Sequence, residues 1–238
     1  QYVNQLAESG IRVHCTTKWL NGVTVLLKDS SLIAQVRELP FVTYVQFTGI
    51  TNENNTALNA PSKVNAAETD YGVAAMQLDQ MNGRILHQHG YRGENIHVAV
   101  LDAGFRNVNT NPAFNTLRTE GRLLGTKDFV NPQSNIYLED AHGAYVLSTM
   151  AAEIDATYVG TAPEASYLLI RTEAAAGEYL WENDFWISGI EYADSAGVDL
   201  ATTSFGYTTF DDSTMNYTDA DMNGRTARAS IAATMAYR

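Results

Sequence analysis

The segment that most constrains the fold runs from Ile96 to Leu101, is nearly all apolar, and stops abruptly at Asp102. A short strand that is apolar on both faces is typical of a parallel sheet covered on each side by helices. Two later segments, at 165–173 and 198–207, repeat this arrangement. Amphipathic helices are predicted between the strands, at 142–153 and 179–196. Together with a helix over 72–90, the pattern predicts a doubly wound parallel α/β domain spanning residues 71–238.

The first fifty residues form a separate predicted domain, small and of the α+β class. We predict a helix over residues 1–9, then two antiparallel strands, IRVHCTTKWL and GVTVLL, around the Asn21-Gly22 turn signal. A second helix, capped by Ser30 or Ser31, is predicted to reach Leu39, and a last strand to form from FVTYVQF. This order resembles a ferredoxin-like half-sandwich without its first strand. Residues 51–70, rich in asparagine and without apolar periodicity, are predicted to be an exposed linker.

Composition excludes several classes of protein. The formal net charge is −12, which disfavours binding to nucleic acid or to an anionic membrane surface, because phosphate groups would be repelled. The one cysteine, Cys15, excludes an intrachain disulfide and a structural zinc site built on cysteines. No apolar run approaches the ~18 residues of a membrane span. The chain begins with Gln1 and shows no leader pattern, so we expect any export signal to lie upstream.

Asp102 is the first candidate for chemistry. In an open parallel sheet, functional groups gather at the carboxyl ends of the strands, and Asp102 stands at such an end, followed by two small residues. Other roles fit the same position. An aspartate there can cap the next turn, or bind a ribose or a metal ion in an unrelated doubly wound fold.

His142 is the second candidate, at the start of the predicted helix HGAYVLSTMAAE. The positive end of the helix dipole disfavours the imidazolium form, which favours a neutral imidazole able to accept a proton. A general base needs that form. The alternative is a histidine that only caps the helix, and for His14, His87, His89 and His97 a structural role is the only one that the sequence supports.

Together, Asp102 and His142 indicate a function more specifically than either residue does alone. An aspartate at a strand end, followed about 40 residues later by a histidine at the next helix start, is one of the known chain orders of Ser-His-Asp machinery. VAVLDAGF and HGAYVLS resemble the catalytic aspartate and histidine motifs of the subtilisin-like serine peptidases, the subtilase family. VGTAPEASYLLIRTE resembles the segment that follows them in that family.

The resemblance implies roles for other segments. DLATTSFGY is similar to the family's substrate-binding edge, so Ser204, Phe205 and Gly206 are expected to line the cleft and pair with a bound peptide. Without the other motifs, these residues would simply be a strand ending in a turn. Residues 1–50, notably TTKWLNGVTV and LPFVTYV, resemble the inhibitory pro-segment that assists folding and covers the cleft. The alternative is an unrelated α/β accessory module.

Two departures from the family pattern bear on function. Gly143 is followed by Ala144 and Tyr145, where most relatives continue with Thr-His, which indicates a divergent branch. No motif like Gly-Thr-Ser-Met-Ala and no oxyanion asparagine motif occurs in the 238 residues. Ser148, Ser195 and Ser230 have no nucleophile context. We therefore expect the nucleophilic serine to lie outside this chain, in a missing C-terminal part of the catalytic domain that could be a second polypeptide, and the chain alone to be inactive.

The resulting hypothesis is part of a secreted or cell-surface serine endopeptidase that acts on peptide or protein substrates. It requires no cofactor and no metal, and the acidic residues Asp211, Asp212, Asp219 and Asp221 are expected to form a solvated loop, because their spacing matches no calcium loop. One alternative is a catalytically inactive, subtilase-like peptide-binding protein. The other is a doubly wound nucleotide-binding domain that uses Asp102, which the lack of a glycine-rich phosphate loop disfavours.

Overall fold

The computed structural model of the chain describes residues 2–50 and 71–237, so the predicted linker, residues 51–70, lies outside the described residues. Contacts between residues divide the chain into two compact units. The first consists of Gln1–Asn54, Gly177–Glu191 and Tyr207–Arg238, and the second of Asn55–Ala176 and Tyr192–Gly206. Among the described residues, no helix has the length and apolarity needed to span a membrane.

In the described residues the chain forms eight α-helices and eight β-strands. In chain order they are α1 (Tyr2–Glu8), β1 (Arg12–Thr17), β2 (Gly22–Leu26), α2 (Leu32–Arg37), α3 (Ala75–Gln80), α4 (Gly83–Gln88), β3 (His97–Asp102), α5 (Asn115–Thr119), β4 (Leu123–Asp128), α6 (His142–Ala151), β5 (Glu153–Ile154), β6 (Tyr158–Val159), β7 (Ser166–Arg171), α7 (Glu182–Ser195), β8 (Leu200–Thr203) and α8 (Arg228–Ala236).

The N-terminal part of the first unit is built around a β-hairpin. β1 and β2 pair antiparallel, with Thr17 opposite Gly22, so the predicted hairpin is confirmed. The loop between them is four residues long rather than two, and Asn21 adopts a left-handed backbone with φ 48°. α1 and α2 cover one face of the hairpin. Their small core consists of Leu6, Ile11 and Val36, packed against Val13, Val25, Leu27, Leu39, Phe41, Val42 and Val45.

Three predictions about secondary structure are wrong. FVTYVQF forms no strand in the described residues: Phe41, Val42 and Val45 pack on the small core, and the backbone of the segment joins no ladder. Ser31 does not cap α2 with its side chain, and its own N–H donates to the Asp29 carboxylate instead. The helix predicted over 72–90 is two short helices, because Asn82 between them takes a left-handed conformation with φ 56°.

The second unit contains a four-stranded parallel sheet in the order β4-β7-β3-β8. β3 and β7 lie in the middle, and their buried residues explain the two strongest apolar runs in the sequence. The predicted parallel α/β fold is confirmed. One face of the sheet packs on α6 and α5 through a core that consists of Val98, Val100, Phe105, Val108, Phe114, Leu117, Ile136, Ala144, Leu147, Ala151, Ala152, Ala165, Tyr167 and Leu169.

One strand of this sheet, β4, is absent from the sequence-based prediction. It lies at an edge of the sheet as far as the described residues show, pairs with β7, and has a register shift between Leu123 and Gly125. Its residues are largely half-buried or exposed, as expected for an edge strand, so it lacks the apolar run that identifies its neighbours. A search for continuous apolar runs finds strands that are buried on both faces, so it does not identify an edge strand with polar side chains.

Candidate active site

Asp102 ends the central strand β3 and is fully buried, with 0% exposure. In register it pairs with Arg171 at the end of β7, which in turn pairs with Asp128 at the end of β4. Three charged residues therefore lie side by side at the carboxyl edge of the sheet. This is the edge where the sequence predicted function, and the burial of the aspartate follows from the apolar strand that carries it.

His142 is the first residue of α6, and its imidazole meets the carboxylate of Asp102. The Nδ1 atom lies 2.8 Å from Oδ1 of Asp102, and the histidine side chain is 51% exposed. An ionised carboxylate only accepts hydrogen bonds, so Nδ1 carries the proton and donates it. In the neutral imidazole the other ring nitrogen, Nε2, then carries no proton and can act as an acceptor. The structure thus brings the two predicted catalytic residues together, one as a buried carboxylate and the other as an accessible imidazole.

The environment of Asp102 opposes its negative charge. Burial raises the pKa of the carboxyl above its ordinary value, and the hydrogen bonds from His142 and from the backbone N–H of Ala103 partly offset this. Oδ1 receives both bonds, the one from Ala103 at 2.7 Å. Oδ2 is buried and has no hydrogen-bond partner among the described residues. An ionised carboxylate in this place therefore costs folding free energy, and pKa shifts of this kind are common at functional sites.

Two glycines let the segments that carry Asp102 and His142 approach so closely that their backbones are in contact. A Cβ atom on Gly143 would lie 2.5 Å from the carbonyl oxygen of Gly104 and 2.7 Å from Cβ of Asp102. A Cβ atom on Gly104 would lie 2.5 Å from the backbone nitrogen of Asp140. Backbone bonds hold the segments together, including Phe105 N–H to the carbonyl of Ile136 at 2.9 Å.

Gly143→Ala is expected to destabilise the chain by about 1–3 kcal/mol, because the new methyl group overlaps backbone atoms that cannot rotate away. Urea unfolding measures the loss. Gly22→Ala is the matched control, since a Cβ atom there meets only ordinary contacts at 3.7 Å and beyond. Equal stability of the two variants would contradict the close approach of the segments.

The predicted substrate-binding residues follow β8. Because Leu101 pairs with Thr203, Ser204 comes next at the same edge of the sheet as Asp102. Ser204 and Gly206 are exposed and Phe205 is half-buried. A Cβ atom on Gly206 would meet nothing within 4 Å, so there is open space beside this backbone. Their role in binding a peptide stays a prediction.

The three serines considered as nucleophiles lie in helices or beside them. The hydroxyl of Ser148 donates to the carbonyl of Tyr145, and that of Ser195 to the carbonyl of Tyr192, each three residues earlier in the same helix. Ser230 lies in α8, with its hydroxyl 4.0 Å from the sulfur of Met222. The bonds of Ser148 and Ser195 are ordinary contacts within a helix.

Part of the acidic loop has an identifiable structural role. The carboxylate of Asp212 accepts hydrogen bonds from the N–H and hydroxyl of Thr214, and that of Asp221 from the N–H and hydroxyl of Thr218. These bonds lower the pKa of both carboxyls. The two aspartates therefore shape two short 3₁₀ turns, Ser213–Met215 and Asp219–Asp221.

Sequence reasoning missed one residue that touches both segments of the site. Arg171, at the end of β7, has 1% exposure and contacts Ala103, which follows Asp102, and Glu139, which lies three residues before His142. The signal was present: an arginine that ends an apolar run, in ASYLLIRTE, requires buried acceptors around it.

Comparison with known proteins gives three findings. A family model described as the peptidase S8 propeptide domain of Bacteroidota matches residues 1–67. The chain is 29% identical over 205 residues to subtilisin E from Bacillus subtilis, covering 84% of this chain and 46% of that protein. It is 33% identical over 127 residues to the major intracellular serine protease of the same organism, covering 49% of this chain and 36% of that protein.

Among solved structures, the epidermin leader peptide processing serine protease from Staphylococcus aureus shares the fold. The TM-score is 0.53 at 14% identity, and the match covers 85% of this chain and 47% of that one. The chain thus spans about half the length of the curated relatives it matches, 46% in the case of subtilisin E.

Proposed function

We propose, from the premise that this chain belongs to the subtilisin-like peptidases, that it supplies the general base and its orienting carboxylate to a serine endopeptidase. The observation that carries the proposal is the 2.8 Å bond between Nδ1 of His142 and the buried Oδ1 of Asp102. It leaves Nε2 of a half-exposed imidazole available to accept the hydroxyl proton of a nucleophilic serine.

In this mechanism a serine from outside the 238 residues attacks the carbonyl carbon of a peptide bond. His142 Nε2 accepts the hydroxyl proton as the new C–O bond forms, and then returns it to the leaving amine as the C–N bond breaks. Asp102 holds the imidazole in the Nδ1–H tautomer and stabilises the imidazolium that forms. Hydrogen-bond donors for the oxyanion, each worth about 2.7–4 kcal/mol, would also come from outside this chain.

The peptide substrate would lie along Ser204–Gly206. Strand addition needs accessible backbone, and the open space beside Gly206 supports such a role. The subtilase resemblance also implies a secreted or cell-surface location, which fractionation of the producing cells would test. Peptide binding and location are further parts of the proposal, and the contact between Asp102 and His142 does not itself support them.

Fluorophosphonate labelling tests the assignment of the nucleophile. We expect no labelled serine in the 238-residue chain and one labelled serine in the continuation of the full-length polypeptide, or in a second polypeptide that completes the domain. A label on any serine of this chain would contradict the proposal. An intact full-length protein with no reactive serine would favour the alternative, an inactive subtilase-like peptide-binding protein.

We further propose that residues 1–50 act as the inhibitory pro-segment of this peptidase. Contacts within the first unit support this role. The carboxylate of Glu191 on α7 accepts hydrogen bonds from the hydroxyl of Thr17 and from the backbone N–H groups of Lys18, at 2.9 Å, and Trp19, at 3.0 Å. One carboxylate thus binds three donors, one at the end of β1 and two in the β1–β2 loop.

The tail of this segment also contacts the residues that precede α7. The carbonyl of Thr48 accepts a hydrogen bond from the backbone N–H of Trp181 at 3.1 Å. Gly49, with φ 130°, lies so close to the rings of Trp181 and Tyr179 that a Cβ atom would be 2.9–3.0 Å from them. The tail at Thr48 and Gly49 therefore packs closely on the residues that precede α7, which supports a stable attachment of the proposed pro-segment.

Glu191→Gln is expected to loosen the attachment of the β1–β2 loop. A glutamine has one acceptor oxygen, so its NH₂ group would face an N–H donor of either Lys18 or Trp19. A lost charge-assisted bond is worth about 1.5–3 kcal/mol, so amide exchange at Lys18 and Trp19 should accelerate by about 10-fold or more. Hydrogen exchange of the intact chain measures this. Asp194→Asn, an exposed residue of the same helix, is the control, and unchanged protection in Glu191→Gln would contradict the proposed attachment.

A further inference from the structure

Arg171 is a fully buried cation beneath the Asp102–His142 pair. It ends β7, between Asp102 at the end of β3 and Asp128 at the end of β4, and its exposure is 1%. A guanidinium in such a place is retained only if its N–H groups find acceptors and its charge is balanced. Both conditions are met, and the acceptors come from the segments that carry the pair.

The guanidinium binds the segment after Asp102 and the segment before His142 at the same time. Its Nε–H donates to the carbonyl of Ala103 at 2.9 Å, and Nη2 lies 3.2 Å from Oε2 of Glu139. The backbone N–H of Ala103 in turn donates to Oδ1 of Asp102, the oxygen that receives the proton of His142. The side chain of Arg171 therefore binds both Ala103, which follows Asp102, and Glu139, which lies three residues before His142.

A third attachment fixes the guanidinium to the edge of the sheet. Its Nη1 lies 3.2 Å from Oδ2 of Asp128 and 3.5 Å from the hydroxyl of Ser134. Asp128 is itself held by three other donors, the N–H groups of Val130 and Asn131 and the hydroxyl of Ser134. The arginine is thus anchored on the β4 side and reaches from there to both segments of the pair.

Charge balance indicates what Arg171 contributes. Two carboxylates, Asp128 and Glu139, face its single positive charge, so little net positive field remains to act on Asp102. The ionic influences on the pKa of Asp102 are His142, which lowers it, and Asp140, which raises it. The contribution of Arg171 is therefore geometric and is transmitted through Ala103 and Glu139.

We propose that Arg171 is a positioning residue of the peptidase, which sets the distance between Asp102 and His142 by bridging the two segments that carry them. The inference rests on the proposed function, since it assigns Arg171 a task in the same site. A lysine would not perform it, because an ammonium group lacks the planar fork that binds in three directions.

The test reads the geometry of the pair directly, by NMR of the 238-residue chain, without peptidase activity. The Nδ1 proton of His142, held by Asp102, gives a resonance far downfield, and imidazole ¹⁵N shifts report the tautomer.

Two variants are compared with the wild type. One is Arg171→Lys, and the other is Arg171→Met combined with Asp128→Asn and Glu139→Gln, which removes the buried carboxylate charges together with the cation. Arg92→Met is the control, since Arg92 bridges Glu153 and Glu164 in the same unit.

We expect both Arg171 variants to lose the downfield resonance and to show a mixture of tautomers, while Arg92→Met retains the wild-type spectrum. A charge-compensated variant that keeps the resonance and the Nδ1–H tautomer would overturn the inference, because Arg171 would then only stabilise the fold. A folded wild-type chain without the resonance would contradict the Asp102–His142 pair itself, and with it the inference. The two failures are therefore distinguishable.

Discussion

Replacing Asp102 with asparagine is expected to lower kcat of the proposed complete peptidase by about 10⁴-fold, because a neutral amide no longer enforces the Nδ1–H tautomer and its NH₂ group can donate to Nδ1 instead. In the present structure Oδ1 of Asp102 binds both Nδ1 of His142 and the N–H of Ala103. Even where the asparagine oxygen takes the place of Oδ1, the negative charge is lost, so the imidazolium that forms in the transition state is no longer stabilised. Steady-state kinetics of the full-length protein would measure the loss.

The same substitution is expected to raise the free energy of unfolding. Burial raises the pKa of Asp102 above its ordinary value of 3.8, so its contribution to stability is present below pH 3.8 and is lost as pH rises through the folded-state pKa. At neutral pH the ionised carboxylate therefore costs stability, and removing its charge should increase the free energy of unfolding. The gain should shrink as pH falls towards 3.8.

Urea unfolding at several pH values would measure the gain in stability, and steady-state kinetics would measure the loss of activity. Asp155→Asn, an exposed residue of the β5–β6 turn, serves as the control and should change neither quantity. If Asp102→Asn were less stable than the wild type at neutral pH, the carboxylate would be stabilising the fold, and its assignment as a strained functional group would be wrong.

The sequence predicted the site more fully than it predicted the surrounding elements. Asp102 could be placed because an apolar run that ends at a polar residue defines the end of a buried parallel strand. His142 could be placed because the helix that it begins is regular and amphipathic. Strand ends and helix starts are local features, so the pattern of the chain is sufficient to locate them.

What could not be predicted depends on contacts between distant segments. Arg171 is 69 and 29 residues away from Asp102 and His142, and nothing local indicates that its guanidinium binds Ala103 and Glu139. FVTYVQF has the composition of a strand, but Phe41, Val42 and Val45 pack on the small core and the backbone of the segment joins no ladder. Gly143 shows the same limit, because the carbonyl of Gly104 that excludes a side chain there comes from another loop.

A buried ion pair in the first unit carries the other large expected effect. Nη1 of Arg228 on α8 lies 2.7 Å from Oδ1 of Asp184 on α7, and the hydroxyl of Thr24 on β2 donates to Oδ2 of the same carboxylate at 2.6 Å. Burial raises the pKa of Asp184, while Arg228 and Thr24 oppose that rise. One carboxylate thus joins the N-terminal hairpin, α7 and α8.

Arg228→Met is expected to destabilise the chain by about 3 kcal/mol at neutral pH, because Asp184 would remain buried without its counterion. Adding Asp184→Asn should recover most of the loss, since removing both charges avoids an unpaired one. The loss should also diminish as pH falls, because a protonated Asp184 needs no counterion. Urea unfolding of both variants, with the exposed Arg225→Met as control, measures these differences. A double variant as unstable as Arg228→Met would show that packing of the arginine, and not its charge, holds α8 against α7.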